Sequence, residues 1–155
     1  MTRLSILIAC FACTFGAALA ATDGPVALDF TPLGTGHASN ASTQLAPADE
    51  GFGKYQMSVS GIENAIHHND GTQRLDDGPI AYAIVALRDL ESRFPQDPAI
   101  ARDLFYMQRV YEHARTYEGF GYAQRIAKWL RTDYPESKYA TWSGWDLMRI
   151  GAPPQ

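Results

Sequence analysis

Two stretches of the chain carry the same apolar pattern forty residues apart. In each stretch the apolar side chains step by three, four, three and four residues, which is the stripe of an α-helix, and an aromatic-Pro pair ends it. The matching positions are Ile80, Ala83, Leu87, Leu90, Phe94 and Pro95, and then Phe120, Ala123, Ala127, Leu130, Tyr134 and Pro135. The pattern predicts two helices of one design in a stacked helical repeat, a class that usually presents a binding surface.

Shorter apolar stripes predict three further helices. We expect the first over about residues 53–68, on a stripe from Tyr55 to Ile66, the third from Pro98 to about residue 117, and the fifth over about residues 136–150. No segment alternates between apolar and polar residues over a useful length. The sequence therefore predicts an all-α fold, a short right-handed stack of about five antiparallel helices over residues 51–151, with residues 152–155 as a tail.

Polar residues and glycines suggest how these helices begin and turn. Asp76 and Asp77 are expected to cap the second helix and Asp97 the third, because an Asp side chain accepts hydrogen bonds from the first N–H groups of a helix. Pro79 is expected in the first turn of the second helix and Pro98 as the first residue of the third, where the missing N–H of proline is harmless. Gly119 and Gly121 are expected to supply the chain reversal between the third and fourth helices.

Residues 1–20 have the pattern of a secretory signal peptide. Arg3 supplies the charged start, residues 4–19 the apolar body, and Ala18-Leu19-Ala20 the small-x-small cleavage signature. We therefore expect a periplasmic or secreted protein that begins at Ala21 after cleavage.

Both cysteines, Cys10 and Cys13, lie inside this predicted signal. Cleavage near residue 20 would leave a chain without thiols, which excludes disulfides, thiolate metal sites and cysteine nucleophiles. The alternative is a lipid anchor, since residues 7–10 resemble a bacterial lipobox in which Cys10 is acylated. The apolar body before Cys10 is about six residues, which is shorter than a normal signal core, so cleavage near residue 20 is preferred.

The composition of the exported part limits the class of partner. Residues 21–50 are rich in Ala, Thr, Ser, Gly and Pro with few large apolar side chains, and we expect a flexible arm because they bury too little surface to offset the entropy of ordering. Without Arg3 the chain has 12 Lys and Arg against 17 Asp and Glu, a net charge of −5. Nucleic acid is not expected as a partner, because phosphate binding requires concentrated positive charge.

The helical part resembles the tetratricopeptide-repeat superfamily. Ala83 with Pro95, and Ala123 with Pro135, match the small residue early in the second helix of each unit and the Pro twelve positions later, although the spacing of forty exceeds the common 34. Residues 90–95 and 130–140 are similar to the periplasmic branch, which includes the lipoprotein of the outer-membrane β-barrel assembly machinery and the Tol-Pal accessory proteins. The resemblance covers about residues 54–150. It implies a concave scaffold that holds a peptide or another envelope protein.

Aromatic residues next to the stripes suggest where a partner binds. Exposed aromatic residues and arginines are the usual energetic anchors of protein interfaces. We expect a peptide groove lined by the first helices of successive units, with Phe105, Arg109, Glu112, Trp142 and Trp145 as its contact residues. The alternative is that the large aromatic residues close the ends of a short stack, and a third interpretation is self-association through an uncapped end.

A rival interpretation is a small metal-binding or hydrolytic periplasmic protein centred on His67, His68, Asp70 and His113. Adjacent residues on a helix point about 100° apart, so His67 and His68 cannot easily bind one ion. A histidine near the C-terminus of a helix is also stabilised by the helix dipole without any metal. We therefore prefer a structural role for these residues and expect neither a cofactor nor catalysis.

Overall fold

A computed structural model describes residues 26–34, 44–69 and 74–150, and for residues 145–150 it describes the backbone alone. Within these residues the chain forms five α-helices and no strand beyond one isolated bridge between Phe52 and Met57. The helices are α1 (Val59–His67), α2 (Pro79–Arg93), α3 (Pro98–His113), α4 (Tyr117–Asp133) and α5 (Lys138–Ile150). The predicted all-α class is confirmed, whereas residues 1–20, Asp70 and residues 152–155 lie outside the described residues.

The helices that begin with a proline start where the sequence predicts. α2 begins at Pro79 and α3 at Pro98, and Asp97 Oδ1 accepts a hydrogen bond of 2.9 Å from the N–H of Ala99, as expected of an N-cap.

α1 is shorter than predicted. It begins at Val59 because Ser58 Oγ caps it, accepting a bond of 3.1 Å from the N–H of Gly61. Before it, the backbones of Phe52 and Met57 exchange two hydrogen bonds around a turn, and Tyr55 on that turn stacks on Tyr82 with ring centroids 3.7 Å apart. Tyr55 therefore fits the helical period of the apolar positions although it lies in the turn before α1.

The predicted caps at Asp76 and Asp77 are wrong. The N-cap of α2 is Gly78, which has a φ of +79° and makes no side-chain cap bond. Asp77 instead accepts from the N–H of Gly78 at 2.7 Å, and Asp76 forms an ion pair with Arg74. A residue with positive φ directly before the helix thus takes the cap position that the carboxylates were expected to hold.

The predicted reversal at Gly119 and Gly121 is also wrong, because both residues lie inside α4. The chain turns at residues 114–116, where Arg115 has a φ of +51°. Thr116 then caps α4, its Oγ1 accepting a bond of 2.9 Å from the N–H of Gly119. The turn is made by a residue other than glycine in the left-handed region, which no local pattern indicated.

The turns that follow α2 and α4 repeat the sequence pattern in their geometry. Phe94 and Tyr134 end the two helices with φ values of −133° and −130°. Each turn then makes the same three backbone hydrogen bonds forty residues apart. The donors are Phe94, Asp97 and Ile100 to the carbonyls of Leu90, Phe94 and Asp97, and Tyr134, Ser137 and Ala140 to those of Leu130, Tyr134 and Ser137.

The helices pack in a zigzag. α1 contacts α2, α2 contacts α3, α3 contacts α4 and α4 contacts α5, while α3 also touches both α1 and α5. The odd-numbered helices thus form one side of the domain and α2 and α4 the other. Ala83 and Ala123 are both fully buried in the core, whose largest enclosed side chains include Trp129, Tyr111, Phe52, Ile62, Leu104 and Met107.

Two described parts of residues 21–50 lie against the helices, which differs from the flexible arm that composition predicts. Residues 26–34, here called the strap, bury Phe30 to 6% exposure, and the N–H of Leu33 donates to Asp133 at 2.8 Å. In residues 44–50 the N–H of Ala46 donates to Asp97 at 2.8 Å. Carboxylates of the helical domain accept these backbone donors, and composition alone does not reveal such acceptors.

Candidate functional site

The side formed by the odd-numbered helices carries a cluster of aromatic residues, here called the aromatic face. It consists of Tyr106 on α3, Tyr139 and Trp142 on α5, and Phe105 beneath them. Tyr106 and Trp142 are 37% and 41% exposed, whereas Phe105 is 5% exposed. The ring centroid of Phe105 lies 5.5 Å from that of Tyr106, 5.7 Å from that of Tyr139 and 5.9 Å from that of Trp142. A buried ring therefore supports three rings that lie nearer the solvent.

Helix geometry explains why these side chains meet. Tyr139 and Trp142 are three residues apart on α5, so they lie on one face of that helix, and their ring centroids are 5.5 Å apart at an angle of 87°. α5 packs against α3 and brings this pair over Phe105. The edge-to-face arrangement is the one that aromatic quadrupoles favour.

Two polar side chains border the face. The Nζ of Lys138 lies 5.1 Å from the ring centroid of Tyr139 and 5.4 Å from that of Trp142, which is within range of a cation–π interaction. On the other side the ring centroid of His67 is 5.6 Å from that of Tyr106. The face thus combines exposed aromatic surface with a positive charge at its edge.

A buried polar network fixes α5 on α3 next to the aromatic face. Gln108 Nε2 donates to Glu112 Oε1 at 2.6 Å, and Ser143 Oγ on α5 donates to Gln108 Oε1. All three residues are buried. Because a buried polar group loses free energy when it has no partner, this network favours a single register between the two helices.

Five residues were expected to contact a partner, and the structure places them differently. Phe105 and Glu112 are buried because α5 covers that side of α3, so they support the face and are not open to a partner. Trp142 is exposed and Arg109 partly exposed. Trp145 lies on α5, and its side chain is outside the described residues.

Sequence reasoning missed Tyr139 and Lys138 as members of this site. The signal was present, since Tyr139 lies three residues before Trp142 and hence on the same face of a helix. Tyr117 is exposed at the start of α4, away from this cluster, and Trp129 is fully buried.

The histidines of the rival metal hypothesis point to their own helices or to an aromatic ring. His68 Nδ1 lies 3.0 Å from the carbonyl oxygen of Asn64, and His113 Nδ1 lies 2.8 Å from that of Arg109. Asp70 is outside the described residues. Among the residues that are described, no three His, Cys, Asp or Glu side chains are grouped so that they could hold a metal ion.

A buried acid lies on α3 where that helix meets α1. Asp103 Oδ1 accepts from Arg102 Nε at 2.9 Å, and Arg102 also forms an ion pair with Glu63 of α1. Asp103 Oδ2 is buried and has no hydrogen-bond partner among the described residues. Burial raises the pKa of Asp103 to about 6, against an ordinary value of 3.8, and Arg102 only partly offsets this effect.

Comparisons of the chain with models of protein families, with curated proteins and with solved structures found no match. As far as the described residues go, none of the five helices combines the length and the apolar character that crossing a membrane requires.

Proposed function

We propose that this protein is an exported adaptor of the cell envelope that binds a segment of another polypeptide through its aromatic face. The observation that carries the proposal is the exposure of Tyr106 and Trp142 on a rigid, buried support. Large exposed aromatic side chains with few rotatable bonds lose little entropy on binding, and they are the usual anchors of protein interfaces.

The order of helix contacts supports a tetratricopeptide-like stack as the scaffold. Each even-numbered helix pairs with the odd-numbered helices on either side of it, and the odd-numbered helices contact one another in sequence. The turns after α2 and α4 share the same hydrogen bonds, which is the behaviour of two units built to one plan. In such a stack the first helices of the units line one continuous surface, and the aromatic face lies on α3 and α5 of that surface.

The proposed location rests on the sequence. Arg3, the apolar residues 4–19 and the Ala18-Leu19-Ala20 signature support export to the periplasm or beyond, with acylation of Cys10 as the alternative. A role in outer-membrane or secretion assembly follows from the resemblance of residues 90–95 and 130–140 to the periplasmic branch of the superfamily.

The geometry suggests how a partner segment binds. Its apolar side chains pack on Tyr106 and Trp142, as a helix in a groove or as an extended peptide. An acidic side chain of the partner pairs with Lys138 at the edge of the face, which adds orientation more than affinity.

Co-purification from the native host after chemical crosslinking tests the proposal. We expect the wild-type chain to retain a polypeptide that the Tyr106→Ala and Trp142→Ala variants lose, with the variants as abundant as the wild type and within about 1 kcal/mol of its stability. Tyr117→Ala is the matched control, because Tyr117 is an exposed aromatic residue outside the face. Equal recovery of the same polypeptide with all four proteins would overturn the proposed site. N-terminal sequencing of the mature chain tests export, and a start other than Ala21 or an acylated Cys10 would overturn the cleavage prediction.

A further inference from the structure

The strap lies on the opposite side of the domain from the aromatic face, across α2 and α4. It is held largely by its backbone. The N–H groups of Leu33 and Gly34 donate to the carboxylate of Asp133 at 2.8 and 3.1 Å, and Arg88 Nη2 donates to the carbonyl oxygen of Thr31. At the other end of the strap, the N–H of Val26 donates to the carbonyl oxygen of Asp76 at 3.1 Å. Backbone bonds of this kind accept any extended segment that carries suitable side chains.

Two adjacent side chains of the strap supply chemical selectivity. Phe30 is buried, and its ring centroid lies 5.3 Å from that of Tyr122 on α4. Asp29 is 66% exposed at its side chain and lies 3.7 Å from Arg88. Arg125 and Lys128 of α4 lie next to the strap, and together with residues 28–32 of the strap they line a shallow pocket, so the surroundings of Asp29 are positively charged. The surface therefore suits an acidic residue followed directly by an aromatic one.

Residues outside the strap hold this surface in shape. Arg88 lies over the ring of Trp129, 4.2 Å from its centroid, and forms an ion pair of 2.9 Å with Glu91. Trp129 Nε1 donates to both carboxylate oxygens of Glu91, at 2.9 and 3.0 Å. Arg88 is thus oriented by contacts within the helical domain, and a preorganised donor costs less entropy when a peptide binds.

Asp133 holds one end of the strap through its backbone. Its side chain is fully buried, and it accepts two backbone N–H groups of the strap. Departure of the strap removes both donors, so a segment that supplies two N–H groups in their place competes for this surface better than one that does not.

We propose that the surface between α2 and α4 is a second peptide-binding site, which the strap occupies in the free chain and which an extended acidic-aromatic segment of a partner polypeptide takes over by exchange. The strap acts as a competitor within the molecule. If it occupies the site in about 99% of molecules, the apparent dissociation constant of the partner segment rises about 100-fold.

Peptide binding in trans tests this exchange. The probe is a fluorescently labelled peptide that copies residues 26–34, titrated into the full mature chain with Phe30→Ala and into the wild type, with anisotropy as the readout. We expect the Phe30→Ala chain to bind at least ten times more tightly than the wild type, because its own strap competes less. A peptide with alanine in place of Phe30 is expected to bind at least ten times more weakly, and a peptide with asparagine in place of Asp29 more weakly than the parent.

A second variant covers the case in which Phe30→Ala does not fold. Asp29→Lys changes an exposed side chain and reverses the charge facing Arg88, so it loosens the strap without opening the core. Tyr117→Ala serves as a control with an intact strap and must match the wild type.

Three results would overturn the proposal. The first is that neither Phe30→Ala nor Asp29→Lys, when folded, binds the peptide that copies residues 26–34. The second is that this peptide and the peptide with alanine in place of Phe30 bind equally well. The third is a wild-type dimer that Phe30→Ala abolishes, which would identify a second copy of the chain as the occupant. None of these results depends on Tyr106 or Trp142. If the exchange proposal fails, the proposed binding by the aromatic face is therefore unaffected and is decided by its own experiment.

Discussion

Alanine at Gly119 and at Gly121 makes the same chemical change two residues apart in α4. A Cβ at Gly119 would lie 2.6 Å from the backbone oxygen of Tyr111 in α3 and 3.0 Å from Thr116 Oγ1, whereas a Cβ at Gly121 meets no atom within 4 Å. Alanine favours a helix over glycine by about 1 kcal/mol at either position. At Gly119 the clash is with backbone, so α3 and α4 must move apart, and overpacking of this kind costs about 1–3 kcal/mol.

The intrinsic preference cancels when the two variants are compared with each other. We therefore expect the free energy of unfolding of Gly121→Ala to exceed that of Gly119→Ala by about 1–3 kcal/mol, which is the cost of the clash. Urea denaturation followed by circular dichroism measures both, provided that the m-values stay equal. Equal stabilisation of the two variants would refute the close approach of α4 to the backbone of α3.

Further predictions concern the core, the aromatic face and pH. Asp103 keeps its proton up to about pH 6 in the folded chain but loses it near pH 3.8 in the unfolded chain. As the pH rises between these values, the free energy of unfolding of the wild type should fall by about 3 kcal/mol relative to that of Asp103→Asn. If urea denaturation gave the same difference in unfolding free energy between the two proteins at pH 4 and at pH 7, the prediction would be wrong. Ala83→Leu and Ala123→Leu should each lower the free energy of unfolding by about 1–3 kcal/mol, because each adds volume to a closely packed site. If thermal unfolding showed no loss for one of them, the two alanines would not occupy equivalent positions in the repeat. Phe105→Ala should cost about 3–5 kcal/mol and Trp142→Ala about 1 or less in the same assay.

Local patterns predicted the parts of the fold that local interactions determine. The 3.6-residue period of the apolar positions places α2 and α4, because one face of each helix must be buried. Asp97 followed by Pro98 is an N-cap and a first helical residue, and both features act within a few residues. The likeness of the turns after Phe94 and Tyr134 was predictable for the same reason, because their hydrogen bonds join residues three or four apart.

Features that depend on distant residues were not predictable. The strap is fixed by Asp133, which lies one hundred residues after Leu33, and its composition resembles that of an unstructured segment. Phe105 lies beside the main apolar stripe of α3 and was expected to be open to a partner. Only the packing of α5 on α3 shows that it is buried.

Turn chemistry explains the remaining errors. Gly119 and Gly121 have the composition of a reversal, but the turn is made by Arg115 with positive φ and Thr116 as the cap. The aspartates before Pro79 have the composition of a cap, but Gly78 takes that position. Several residues could serve in each place, and tertiary packing selects among them.

Photocrosslinking from single positions in the native envelope tests the proposed function most directly. A photoreactive phenylalanine analogue replaces Tyr106 in the full chain, and the same analogue at Tyr117 is the control. We predict a covalent adduct with one polypeptide from position 106, its loss when Trp142→Ala is added, and no such adduct from position 117. Adducts with the same polypeptide from both positions, or none from position 106 in a correctly exported chain, would contradict this prediction.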